Sequence, residues 1–294
     1  MAHRKHRWTW GPLSIVVGLC WLGSAQAADD APKTDAAKAE KVGKPAAKPQ
    51  RVTVNVPALT AKLKSSDLAA VQEALDEASS AGKGAGPLAK PIEDVLARGT
   101  TAEIDEAALG ALGRVGGPAN SEAILPFARH RSPEMRKKAL LALVKTNGAP
   151  TVGALRQALS DPDPGVRGVA ASGLGTIKGR EGMDDLFRAL DHQVTEAAAS
   201  IGEMCTVEEC EKLAAKTGIF GLDVMTSGFD QIMFRPTTEI PDDEKIKIVG
   251  RVRELGTQEA NKYLRDLQGR WPPTGSPRIK QALEQAVLAT SGSR

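Results

Sequence analysis

The chain has 294 residues, 41% of them hydrophobic, 26% charged and only 3% aromatic; this balance is ordinary for a globular protein. So few aromatic side chains argue against one compact core, which leans on large rings, and for close-packed helices rich in Ala and Leu. The formal net charge of +3 resides in Arg4, Lys5 and Arg7 of the N-terminal segment; without them the 39 basic residues fall to 36, against 36 acidic ones, a poor basis for general binding to nucleic acid or to an anionic membrane.

Residues 1–27 read as a secretory leader. The three cations are followed by an uncharged stretch from Trp8 to Ala28 with an apolar heart from Leu13 to Trp21. Ser24-Ala25-Gln26-Ala27 offers the small-x-small pattern of a cleavage site, so cleavage is expected after Ala27, and a periplasmic or secreted location with it. The alternative is an uncleaved anchor, because the uncharged stretch is just long enough to span a bilayer. After cleavage no membrane span is expected. Residues 28–56 are dominated by Ala, Lys, Pro and Asp without apolar periodicity, and are expected to form a disordered linker with a reach of roughly 30 Å.

A repeat follows. Ile104, Met135 and Val166 are spaced by 31 residues, as are Ala108, Ala139 and Ala170, and again Leu112, Leu143 and Leu174. Within each copy the three positions lie at i, i+4 and i+8, so they line one face of a helix. A further copy follows 28 residues on, with Val194 matching Val166 and Ala198 matching Ala170; an earlier, weaker one lies around Val71 to Ala78. Each copy continues into a second helix, behind turns such as Gly116-Gly117-Pro118 and Asn147-Gly148-Ala149-Pro150, compositions that end helices. Ser132-Pro133 and Asp163-Pro164 mark helix starts, with a capping side chain ahead of a proline in the first helical turn. One such helix pair has an apolar stripe and nothing to bury it against. Stacked pairs cover each other's stripes, so the expected fold is all-α, a solenoid of antiparallel helix pairs over residues 57–218.

Asp161-Pro162-Asp163-Pro164-Gly165-Val166-Arg167, followed by Ala170-Ala171 and Leu174-Gly175, closely resembles the short HEAT repeat of the phycobilisome-lyase-like type. The resemblance is good from about Thr101 to Gly218 and patchy beyond. It implies an α-solenoid, and an inter-repeat polar ladder at Asp163 and Arg167. It says little about function, because such repeats serve many partners.

Residues 219–240 depart from the pattern and concentrate Phe and Met. Phe220, Met225, Phe229, Met233 and Phe234 are the candidate surface for a protein partner, the alternative being a cap over the solenoid's apolar side. Helical pairing resumes over residues 241–294, with an apolar stripe through Ile246, Ile248, Val249, Val252 and Leu255.

Cys205 and Cys210 are the two cysteines left after the leader, an even number suited to an oxidising compartment. Thr206 and Glu209 form a capping-box pattern between them, and the turn can bring their Cα atoms within disulfide range. A structural disulfide is therefore expected.

Chemistry is mostly missing. His130 and His192 lie outside any His-Glu-x-x-His pattern, so no metal ligand set and no cofactor are expected. Ser172 and Ser227 stand near glycines but in no Gly-x-Ser-x-Gly elbow. Asp184-Asp185 and Asp242-Asp243-Glu244 lack EF-hand spacing and suit helix starts. The expected function is therefore that of an exported scaffold that binds a protein partner without catalysis. The alternatives are a lyase- or hydrolase-like enzyme on the same scaffold and a passive structural protein of the cell envelope.

Overall fold

The computed structural model describes residues 54–291; the expected leader and nearly all of the expected linker lie outside the described residues. Fifteen α-helices follow one another among the described residues. They are α1 Val56–Leu63, α2 Leu68–Ala81, α3 Ala89–Arg98, α4 Ala102–Val115, α5 Ser121–Ile124, α6 Pro133–Thr146, α7 Thr151–Ala158 and α8 Pro164–Thr176. Then come α9 Met183–Asp191, α10 Glu196–Met204, α11 Val207–Ala214, α12 Leu222–Phe234, α13 Asp242–Glu254, α14 Gln258–Arg270 and α15 Pro277–Thr290.

The 31-residue period is visible in the helix starts: α4, α6 and α8 begin at Ala102, Pro133 and Pro164. Asp163 caps α8 by accepting the Val166 amide at 3.0 Å, and Thr257 caps α14 by accepting the Ala260 amide at 3.1 Å; each satisfies a donor that the first turn would leave unpaired. At the other end of α6, Asn147 takes the left-handed conformation (φ 50°), which Asn adopts more readily than most residues, and the chain turns into α7.

Helices α2, α4, α6, α8, α10 and α12 pack each on the next and form one layer, while the intervening helices lie behind them. At the C-terminal end α13 and α14 both pack on α15. This arrangement is an α-solenoid. Ala139, Ala170 and Ala198 are fully buried at the repeated small position, and the apolar positions Ile104, Met135, Val166, Leu112, Leu143 and Leu174 are buried with them.

Small residues set how closely the first-layer helices approach. A methyl group built on Gly113 of α4 would meet the Ala142 Cα at 3.1 Å, and one on Gly175 of α8 would meet the Ser200 Cα at 3.0 Å. The tightest approach joins α10 to α12. A methyl on Gly202 would stand 2.9 Å from both the Cα and the carbonyl carbon of Gly228, and closer still to its oxygen. Residues 219–240 thus contain α12, which continues the first layer.

Candidate functional site

The five residues singled out as a partner surface do not form one. Met225, Phe229 and Met233 are fully buried. The reason is helical periodicity: together with Ile232 they occupy the i, i+4, i+7 and i+8 positions of α12 and line its buried stripe. Phe220 is partly buried, with the Lys216 ammonium 5.7 Å from its ring centroid. Only Phe234, at the end of α12, is exposed, at 45%. Its ring lies 5.9 Å from that of Trp271, with the Arg270 guanidinium 5.4 Å from its centroid.

The outward side of α12 carries the surface features instead. Between α12 and α14 lies a groove of about 500 Å³, with Leu222, Thr226 and Tyr263 along it and Asp223, Glu259 and Lys262 at its margins. A second groove of about 360 Å³, over α8, α10 and α12, contains Ser172, Glu196, Ala199 and Ser227 and shares Asp223 with the first. The two make a run over α8, α10 and α12 and on to α14, partly apolar and mostly acidic at the edge. Tyr263 donates its hydroxyl to Asp230 Oδ1 at 3.0 Å; burial, then the Asp230 charge, push its phenol far above its ordinary value. It stands there as a neutral donor to the Asp230 carboxylate.

The structure joins Cys205 to Cys210 in a disulfide, with Cα atoms 5.3 Å apart. Thr206 accepts the Glu209 amide at 3.3 Å and Glu209 accepts the Thr206 amide at 2.7 Å, the reciprocal capping box. Burial pushes the Glu209 carboxyl up, but the Thr206 amide and Arg180 outweigh it and hold it below the usual carboxylate range. Two arginines close on this turn. Arg180 donates to Met204 O and reaches Glu209, and Arg235 donates to Cys205 O at 2.7 Å. Both satisfy carbonyls at the C-terminal end of α10, where cations are favoured. The disulfide thus pins the corner at which α10, α11 and the end of α12 meet. In the native protein, mass measurement after alkylation is expected to show no reactive thiol at these positions before reduction and two after it. The Cys205→Ser, Cys210→Ser variant should lose about 2 kcal/mol at most, because so short a loop restricts the unfolded chain only modestly.

The ladder expected at Asp163 and Arg167 is built differently. Asp163 is spent on the α8 cap, and Arg167 donates to Asp161 O at 2.8 Å and Pro162 O at 3.1 Å in its own turn. The rung between repeats is Arg136 with Asp161. Arg136 Nε and Nη2 donate to the two carboxylate oxygens at 2.7 and 2.6 Å, and Nη1 donates to His130 O at 2.9 Å. The Asp161-Pro162-Asp163-Pro164 run offers two carboxylates; which one meets the preceding repeat depends on where Arg136 projects from α6, a contact 25 residues away.

A second residue gives no sequence signal. Lys245, amid the acidic start of α13, is 1% exposed. Burial pushes its ammonium below its ordinary value, and it donates to Arg235 O at the C-terminal end of α12, a position that favours a cation.

One carboxylate of each acidic pair is taken by cations. Asp185 pairs with Arg156 and Arg188, and Asp243 with Arg278. Among the described residues no group of three or more His, Cys, Asp or Glu side chains is placed to hold a metal ion. Ser227 lies inside α12 and donates to Val224 O at 2.8 Å, while His130 Nδ1 accepts the Ser132 amide at 3.1 Å.

No protein-family profile matches the chain, and no curated protein sequence matches it. Its structure is similar to one chain in a homology model of the full-length AP-3 complex in an intermediate open conformation, with a TM-score of 0.54 and 13% identity over 80% of this chain. That likeness agrees with the α-solenoid fold. This chain spans 50% of that AP-3 chain. It also has lower-scoring likenesses. One is to the complex of CpcE and CpcF of phycocyanin lyase from Nostoc sp. PCC7120, with a TM-score of 0.45, 14% identity, 86% of this chain and 100% of that one. Another is to a designed armadillo repeat protein, with a TM-score of 0.38, 15% identity, 80% of this chain and 99% of that one. At these identities the likeness speaks for the fold alone.

Proposed function

We propose that this protein is an exported scaffold that binds a protein partner along the outward side of its first helix layer and performs no chemistry itself. The observation that carries this reading is the pair of grooves sharing Asp223, about 500 and 360 Å³, running over α8, α10, α12 and α14. A run of this kind suits an extended partner segment better than a small enclosed ligand, which favours a deep concave site. Export is supported by the leader pattern of residues 1–27 and by the Cys205–Cys210 disulfide, a bond that persists in oxidising compartments. No helix among the described residues is long and apolar enough to cross a membrane.

The test is affinity capture from cell-envelope extract with the tagged protein, beside a Thr226→Arg variant that fills the larger groove. One protein, identified by mass spectrometry, should be held by the parent and lost by the variant. Equal capture by both, or recovery of a tightly bound small molecule in place of a protein, would overturn the reading.

A further inference from the structure

A different edge of the solenoid carries charge of the opposite sign. It lies where the second helix of each pair hands the chain back to the first layer. His130, Asp161 and His192 occupy this same turn in three copies, each 31 residues after the last. Between the first two turns is a cavity of about 410 Å³ lined by Arg129, His130, Arg131, Arg136, Gln157 and Ser160 among others. Between the next two is one of about 150 Å³ lined by Ser160, Arg156, Asp185, Arg188 and His192 among others. They meet at Ser160.

The cations here outnumber their partners. Five arginines line the two cavities, against Asp161 and Asp185. Asp161 is taken by Arg136, and Asp185 is shared by Arg156 and Arg188. Among the described residues the Arg129 guanidinium meets only the neutral Gln157 amide oxygen, at 3.2 Å from Nε and 2.9 Å from Nη2. The exposed Arg131 side chain has no hydrogen bond or ion pair among the described residues. A concave site with an excess of one sign of charge concentrates the opposite one.

We propose that this double cleft binds a carboxylate-rich segment of a protein partner, laid extended across the ends of two successive repeats. The proposal rests on the partner-binding reading and adds to it a second contact with a defined chemistry. A guanidinium fork matches a carboxylate with two parallel hydrogen bonds, and Arg136 already holds Asp161 in this way within the same edge. Packed helices lie about 8–10 Å apart, so the two cavities are separated by about three residues of extended chain at roughly 3.3 Å each. One acidic side chain then reaches Arg129 and Arg131, and another about three residues on meets the one positive charge that Arg156 and Arg188 keep in excess of Asp185. A single small anion would be satisfied by the first cavity alone. A nucleic acid strand demands a longer run of phosphate contacts than this excess of charge supplies.

The experiment is fluorescence anisotropy of a labelled octaglutamate peptide with the full-length protein produced in an exporting host, with octalysine as the control. Octaglutamate should bind, more weakly as salt rises, and octalysine should not bind at this edge. The Arg129→Ala, Arg131→Ala variant should bind at least about tenfold more weakly. A Lys137→Ala, Lys138→Ala variant, altered on α6 outside the lining, should bind within about twofold of the parent. Arg129 and Arg131 are exposed, so the variant's melting temperature should match the parent's; if it does not, Arg131→Ala alone supplies the comparison. No binding of octaglutamate, equal loss in the two double variants, or unchanged binding in the arginine variant would overturn the proposal. So would displacement of the peptide by single-stranded DNA or tripolyphosphate at lower concentration than by unlabelled octaglutamate. Failure here with Thr226-dependent capture intact sinks this cleft and leaves the scaffold reading standing. Octaglutamate binding without capture does the reverse.

Discussion

Replacing Gly202 with Ala should lower the melting temperature by about 4–8 °C, although alanine is the better helix former. Inside a helix, Gly→Ala gains about 1 kcal/mol. At this position the added methyl meets backbone: it would stand 2.9 Å from the Gly228 Cα and carbonyl carbon across the α10–α12 contact. A side chain could rotate away, but a carbonyl inside α12 cannot move without the helix. Gly228 is itself bounded by α10, since a methyl there would stand 2.5 Å from Ala198 O. Overpacking that shifts backbone costs about 3 kcal/mol at the upper end of the usual range, so the net loss is about 2 kcal/mol. At about 2–4 °C per kcal/mol for a folded region of this size, that gives the stated drop. Gly250→Ala in α13 is the internal control: nothing lies within 4 Å of the added methyl, so the propensity gain should stand alone and raise the melting temperature. Thermal melts of the two variants beside the parent measure both. A Gly202→Ala melt equal to or above the parent's would show that α10 and α12 are not held this closely.

The α10–α12 contact also shows where sequence reading succeeds and where it stops. The 31-residue register identifies α4, α6 and α8 and their buried alanines, because each copy repeats the same residue sizes at the same positions. In α12 the pattern of sizes inverts. Met225 and Phe229 fill the buried stripe that small residues share in α8, and close approach to α10 is restored through Gly228 opposite Gly202. A search for repeated alanines passes over that exchange and takes the Phe and Met for a surface. Their i, i+4, i+8 spacing through Met225, Phe229 and Met233 was the available signal. The capping box at Thr206 and Glu209 was legible because it is local. The groove beside Tyr263, the basic cleft around Arg129 and the Arg136–Asp161 rung were not, since each joins residues from different repeats and depends on how far one helix pair is rotated on the next.

The rung itself carries the largest expected effect. Arg136→Ala should destabilise the protein by about 3 kcal/mol near neutral pH, the low end for breaking a buried pair by removing one partner. The side chains of Arg136 and Asp161 are 11% and 10% exposed while they cover each other; without the guanidinium, the carboxylate would lose both donors and be left with the water that the adjoining cavity admits, which places the loss at the bottom of that range. The loss includes the charge-assisted bonds to Asp161 and the bonds to His130 O and Arg131 O, which tie the end of one pair to the start of the next. Removing the partner is far costlier than any surface ion pair here, where about 0–1 kcal/mol is usual. The pH dependence distinguishes this pairing from simple loss of packing. Burial pushes the Asp161 carboxyl up, but Arg136, the Asp163 amide and Arg167 outweigh it and hold its pKa below the ordinary carboxylate value. A carboxyl lowered in the folded state contributes stability above its unfolded pKa of about 4, and that contribution is lost as pH falls through the lower folded value. The parent should therefore lose stability on acidification below about pH 4, while Arg136→Ala, with Asp161 no longer lowered by its partner, should lose less over the same interval. Urea denaturation of the two proteins at neutral pH and at successive acidic pH values measures it: the gap is widest near neutrality and narrows as Asp161 protonates. A gap that stays constant with pH would mean that Arg136 acts only through its packing and its bonds to the backbone carbonyls, and that the Asp161 carboxylate is no rung.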